Sequence, residues 1–111
     1  MLGLPGGVVD PGETGEEAAA REAFEEVGIV IDPGRLRYLV SLNNRYPYQG
    51  FVWPTIDLFY VGEVQSFDDL KPNPSEVSEL LLLPPHEVPL EKFAFDSNAE
   101  AVRRLIRETN P

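Results

Sequence analysis

The run from Thr14 to Gly28 leaves the chain little choice but a helix, because the signals for both ends are written into it. Thr14 with Glu17 three residues later has capping-box form, which starts the helix near Gly15. Ala18, Ala19, Ala20, Arg21 and Glu22 are strong helix formers, and Gly28 stands where a left-handed cap ends the run. At about 100° per residue, Glu22, Glu25 and Glu26 fall within roughly a 100° arc. Ala20, Ala23, Phe24 and Val27 lie opposite and are expected to face the core. Ala18, one turn before Glu22, is expected on the acidic face, where nothing bulky blocks approach to the carboxylates.

Carboxylates crowded on one arc repel each other. Arg21 can reach back to Glu17 or forward to Glu25, but Glu22 and Glu26 have no basic residue four positions on. The cluster therefore reads as a site for an added cation, and an all-oxygen donor set suits Mg²⁺ or Mn²⁺. A lone Glu-Glu pair would ordinarily be a solvated acidic face. The wider pattern decides against that reading. Gly7, Glu13, Arg21, Glu22, Glu25, Glu26, Gly28 and Ile29 match G-x5-E-x7-R-E-U-x-E-E-x-G-U, where U is aliphatic. Ala23 is the one soft departure, since bulkier aliphatics are usual there. The chain resembles the Nudix (MutT-like) hydrolase family, sharply over Gly3 to Ile29 and more loosely beyond.

That resemblance implies an α/β fold, a mixed β-sheet sandwiched between α-helices (α/β/α), as a single domain over residues 1–111. In the family, the Leu-Pro-Gly-Gly segment matching Leu4 to Gly7 usually follows one or two earlier strands, and none precede it here. The expectation is an N-terminally shortened copy whose sheet lacks its first strands, with an open edge and uncovered apolar surface. Such a chain would be poorly stable alone or would pair with another chain.

Composition narrows the partners. With 19 acidic and 9 basic residues the net charge is -10, which disfavours a nucleic-acid polymer. A small phosphorylated substrate is still compatible, because a bound metal inverts the local field. No apolar run approaches the ~20 residues that span a bilayer, and no signal-peptide pattern is visible. The absence of Cys removes disulfides and thiolate metal sites and fits a cytoplasmic protein.

Beyond the first helix, Asp32-Pro-Gly34 reads as a turn. Arg35 to Asn43 alternates as a strand with Leu36, Tyr38, Val40 and Leu42 on one face. Asn44 to Gly50 reads as a loop, Ile56 to Val64 as a long strand, and Gln65 to Ser75 as an acidic, proline-rich loop. Asp57 is expected either in a cleft or on a solvated strand face. Leu80 to Leu83 read as a buried strand, and Pro84 to Pro89 as a connector carrying a solvent-facing His86. Phe93 and Phe95 are expected to pack inward. Ser97 and Glu100 again have capping-box form, opening a second helix to about Glu108 with Ala99, Val102, Leu105 and Ile106 as its apolar stripe.

The family resemblance also implies chemistry. The expected reaction is hydrolysis of a nucleoside diphosphate linked to a second group, X, with Mg²⁺ as cofactor and Mn²⁺ as its substitute. Glu22, Glu25 and Glu26, with a backbone carbonyl near Gly6, would hold the metal. Gly7, Glu13 and Arg21 would support the site, and Glu22 or a downstream Glu would take a proton from water. Glu76 is the first choice for that downstream residue and Glu79 the second. Tyr46 and Tyr48 could stack on a nucleobase or on X, with core or lid packing the competing role. ADP-ribose-like compounds lead the substrate classes. Dinucleoside polyphosphates, oxidised nucleoside triphosphates, a non-catalytic nucleotide-binding module and an acidic Ca²⁺-binding scaffold remain open. Homodimers are common among relatives.

Overall fold

Thr14 and Gly28 bracket the first helix as their positions predict. Helix α1 spans Gly15–Val27, with Thr14 Oγ1 accepting from the Glu17 amide at 3.1 Å and Glu17 accepting from the Thr14 amide at 2.9 Å. Gly28 closes it at φ 78°, where a side chain would be strained, and donates to the Phe24 carbonyl at 3.0 Å. The structure, a computed structural model, describes residues 1–109 of the 111. The domain expected over 1–111 thus ends in two residues outside those described. The buried face of α1 is Ala18, Ala20, Ala23 and Val27, while Phe24 is 58% exposed. Two expectations change: Ala18 packs inward rather than joining the acidic face, and Phe24 turns outward. An alanine-lined face admits close approach of neighbouring backbone, and a ring does not fit there.

The chain divides into two units. One contains Met1–Leu4, Tyr38–Phe59 and the chain from Leu83 on; the other contains Pro5–Arg37 and Tyr60–Leu82. The first unit holds most of an antiparallel hairpin of β1, Arg37–Tyr48, and β2, Phe51–Val61. Gln49 and Gly50 join the strands with φ of 51° and 80°, the left-handed pair that a tight two-residue hairpin turn requires. Asn44 to Tyr48, expected as a loop, therefore continue β1. Helix α2, Asp96–Thr109, packs against short 3-10 turns at Pro85–Glu87 and Leu90–Lys92. Its buried side chains are Ser97, Ala99, Ala101 and Val102, with Leu105 and Ile106 half-buried. Ser97 does not cap this helix. Its hydroxyl donates instead to Asp57 of β2 at 3.0 Å, and Asp57 also accepts from Asn44 at 2.9 Å. Asp57 is thus neither in a cleft nor solvated; it ties a strand to a helix start. Phe93 and Phe95 are half-buried, and His86 is exposed as expected.

The second unit contains α1, the loop before it, a 3-10 turn at Pro33–Arg35 capped by Asp32, and the segment after β2. That segment satisfies the carbonyls left open at the end of α1: the Lys71 amide donates to Val27 and the Asn73 amide to Glu26, at 2.9 and 2.8 Å.

The α/β class holds, but the mixed sheet sandwiched between helices is not what the described residues form. They form a two-stranded antiparallel sheet and one parallel bridge, Leu2 to Phe93. Leu80–Leu83 are not a buried strand: Leu81, Leu82 and Leu83 are 50%, 54% and 42% exposed. A strand needs a neighbour to take its amides and carbonyls, and Pro84-Pro85 stops the run before a ladder can form. Among the described residues no helix is long and apolar enough to cross a membrane.

Candidate active site

Arg21 is the hub of the second unit. Its guanidinium grips Glu13 with two bonds of 2.8 and 3.0 Å, donates to the Val8 carbonyl at 3.0 Å, and donates to Glu22 at 2.9 Å and Glu25 at 3.2 Å. Asp10 lies 3.5 Å away. Glu13 in turn accepts from the Asp10 amide at 2.8 Å, closing the turn that Gly12 permits at φ 87°. One side chain thus ties the loop before α1 to two carboxylates on its exposed face. The expected pairing of Arg21 with Glu17 does not occur, because Glu17 is committed to the cap. Glu22 gains relief from the residue beside it rather than from one turn on. The Arg21 bonds hold the Glu13 carboxyl below the usual carboxylate range.

Gly6 and Gly7 bring the loop backbone onto the carboxylates. The Gly6 amide donates to Glu26 Oε2 at 2.8 Å. A methyl at Gly7 would fall inside contact distance of the Glu22 carboxylate, 2.6 Å from its Cδ. Burial raises the Glu26 pKa, with the neighbouring charges of Glu22, Glu76 and Glu25 adding to the shift and the Gly6 amide opposing it. Glu76 therefore belongs with the helix carboxylates. The turn that brings it there starts at Asn73, whose carbonyl accepts from the Glu76 and Val77 amides at 3.0 and 2.8 Å, and whose side chain holds Ser75. Asn73 was missed from the sequence alone; its signal is Pro72-Asn-Pro-Ser75, a turn-former run that reads as generic loop without its partner. Glu79 is exposed, and among the described residues no hydrogen bond or ion pair joins it to these carboxylates.

Tyr46 and Tyr48 lie in the other unit. Tyr46 stacks on Phe95 with ring centres 5.7 Å apart, which favours its packing role, and Tyr48 is 56% exposed near the hairpin turn.

Among the described residues, no three acidic or histidine side chains converge to hold an ion as they stand. Glu22 and Glu25 are turned to Arg21, and Glu26 to the Gly6 amide. The donor chemistry still fits a hard divalent cation: every donor is a carboxylate oxygen, and the mutual repulsion felt at Glu26 is what positive charge would relieve.

A family model described as NUDIX domain matches residues 1–105. The chain belongs to the Nudix family. This Nudix domain is 33% identical over 109 residues to an isopentenyl-diphosphate Delta-isomerase of Streptomyces coelicolor, covering 88% of the chain and 52% of that protein. It is 30% identical over 118 residues to an RNA pyrophosphohydrolase of Erythrobacter litoralis, covering 95% and 71%. It is 38% identical over 95 residues to an ADP-ribose pyrophosphatase of Methanocaldococcus jannaschii, covering 84% and 50%. The chain thus spans about half the length of two of these relatives and 71% of the third. No solved structure matches it.

Proposed function

We propose that this Nudix domain hydrolyses the pyrophosphate bond of a nucleoside diphosphate linked to a group X, with ADP-ribose-like compounds the leading substrate class. The products are a nucleoside monophosphate and phosphorylated X. The observation that carries the reading is the gathering of Glu22, Glu26 and Glu76 at the Gly6–Gly7 loop, beside an Arg21 that holds Glu22 and Glu25. The likeness to a protein named ADP-ribose pyrophosphatase supports the substrate class, and the cysteine-free composition supports a cytoplasmic setting.

In this reading Glu22, Glu25 and Glu26 hold Mg²⁺, with Mn²⁺ a substitute and a backbone carbonyl near Gly6 as a further donor. Such an ion, when bound, offsets negative charge on the phosphoryl oxygens and acidifies water. Glu22 or Glu76 takes the proton as the water oxygen bonds to phosphorus. The bridging P–O bond breaks, and its electron pair leaves on the oxygen of the second product. Glu13 and Arg21 position the loop and the carboxylates.

A second reading is favoured by the relative named RNA pyrophosphohydrolase, which covers the largest shares of both chains. A net charge of -10 opposes it, since a polymer brings many phosphates and finds few cations. The relative named as an isomerase raises a third, a rearrangement that releases no phosphate.

A screen of nucleoside diphosphate derivatives, dinucleoside polyphosphates, oxidised nucleoside triphosphates and 5′-triphosphorylated RNA with Mg²⁺ separates these readings by product. Glu25→Gln is expected to lower kcat by at least ~100-fold, because a charged donor becomes neutral where charge develops. A near-normal rate would remove Glu25 from the machinery. Turnover of none of these compounds would leave a binding module, and a preference for Ca²⁺ without turnover would favour a scaffold.

A further inference from the structure

The hairpin exposes more apolar surface than a chain of this size ordinarily leaves open. Side chains alternate along β2, and Asp57 shows which face looks to α2, since it accepts from Ser97 there. The opposite face is Val52, Pro54, Ile56 and Leu58. All four are exposed, Val52 at 62%, Ile56 at 61% and Leu58 at 46%. Next to them at the tip stand Tyr48, Phe51 and Trp53, 56%, 69% and 53% exposed. At ~200 Å² per ring the exposed parts of these aromatics alone contribute roughly 300 Å². With the aliphatic face the patch exceeds the ~300–600 Å² typical of the largest on a monomer and nears the ~800 Å² a standard interface takes from each partner.

Charge says what could cover it. The protein carries a net charge of -10, yet the eleven residues from Tyr46 to Ile56 include no ionisable acid or base. A charged partner finds nothing to pair with there. Two copies meeting at this patch keep their acidic remainders away from the contact. The two residues outside those described are too few to cover it.

Backbone chemistry says how they meet. The closing pair of the turn, Tyr48 and Phe51, faces inward, so alternation turns the nitrogens of Pro47 and Pro54 to the two outer edges of the sheet. Each edge lacks a donor at that point, which blunts strand addition. Face-to-face packing of the hairpins has no such obstacle. We propose that the Val52, Ile56 and Leu58 face of β2 is a self-association surface, which packs against the same face of a second copy of this chain.

Sedimentation equilibrium of the full chain tests this, paired with thiol labelling of Ile56→Cys, whose introduced thiol would be the only one present. The expected result is a concentration-dependent dimer that tightens as salt screens the acidic surfaces. Maleimide labelling should slow by about tenfold between dilute and concentrated protein, as mass action fills the interface. Leu58→Lys should be monomeric with an unchanged far-UV spectrum, and Val52→Lys serves if that variant fails to fold. Val30→Lys, at an exposed site in the other unit, should dimerise normally. A monomer at every concentration overturns the proposal, whether the introduced thiol is reactive or the protein sediments with neutral lipid vesicles. A dimer that survives Leu58→Lys and Val52→Lys, or growth into open-ended aggregates, also overturns it.

Discussion

Arg21 shows how one side chain sets the electrostatics of a site. By bonding Glu13, Glu22 and Glu25 it compensates part of a crowd that would otherwise repel itself, and it leaves Glu26 without a cation. The two ends of this arrangement should titrate in opposite directions. Glu13 has a lowered pKa, first through its bond from Arg21. Its contribution to stability is present above the unfolded carboxyl pKa and is lost as pH falls through the lowered folded value. Glu26 has a raised pKa, first through burial. Stability relative to its ionised state is present below the unfolded pKa and lost as pH rises through the raised folded value. In ion-free protein, carboxyl-resolved NMR should therefore find Glu13 titrating below an ordinary glutamate and Glu26 above one. The reverse order would contradict the packing of the Gly6–Gly7 loop. The carboxylates of this site were legible in the sequence because helical spacing alone puts them on one arc. The Gly6 amide on Glu26 and the Asn73 turn were not, since both are meetings of residues distant along the chain.

At the scale of elements, the helix ends are the places where local chemistry can be given a magnitude. Thr14→Ala removes a reciprocal cap and should cost about 1 kcal/mol. Gly28→Ala should cost about 1 kcal/mol or more, because its φ of 78° is left-handed and a Cβ would lie 3.0 Å from the Lys71 amide nitrogen. Urea unfolding followed by circular dichroism measures both, and a neutral Gly28→Ala would mean that the cap relaxes. Glu100 holds Arg103, Arg104 and Arg107 along the exposed face of α2, and their bonds lower its pKa, led by that of Arg104. Elements closed by neighbours in sequence, the helices and the hairpin turn, are those whose type could be read in advance. Ser97 went the other way: its capping form was local, and a bond to Asp57 from forty residues away claimed the hydroxyl.

At the scale of the molecule, ion binding to the folded state should appear as stability. If the acidic stripe holds a divalent ion, Mg²⁺ at 100 times its dissociation constant should add about 2.7 kcal/mol. Chelation should reverse the gain and Glu26→Gln should abolish most of it. Calorimetric scans with and without Mg²⁺ make the comparison, and identical curves would count against a metal site.

By itself the sequence determined α1, its caps, the arc of carboxylates and the family, because these depend on periodicity, backbone preference and the spacing of a motif. Only the tertiary structure decided that Arg21 serves Glu13 and Glu22 rather than Glu17, that Glu76 joins Glu26, and that Leu80–Leu83 remain unpaired. Those outcomes depend on which distant groups come within bonding distance. A hydrogen bond or ion pair is worth most where burial removes the competition of water, and chain order does not reveal where that happens.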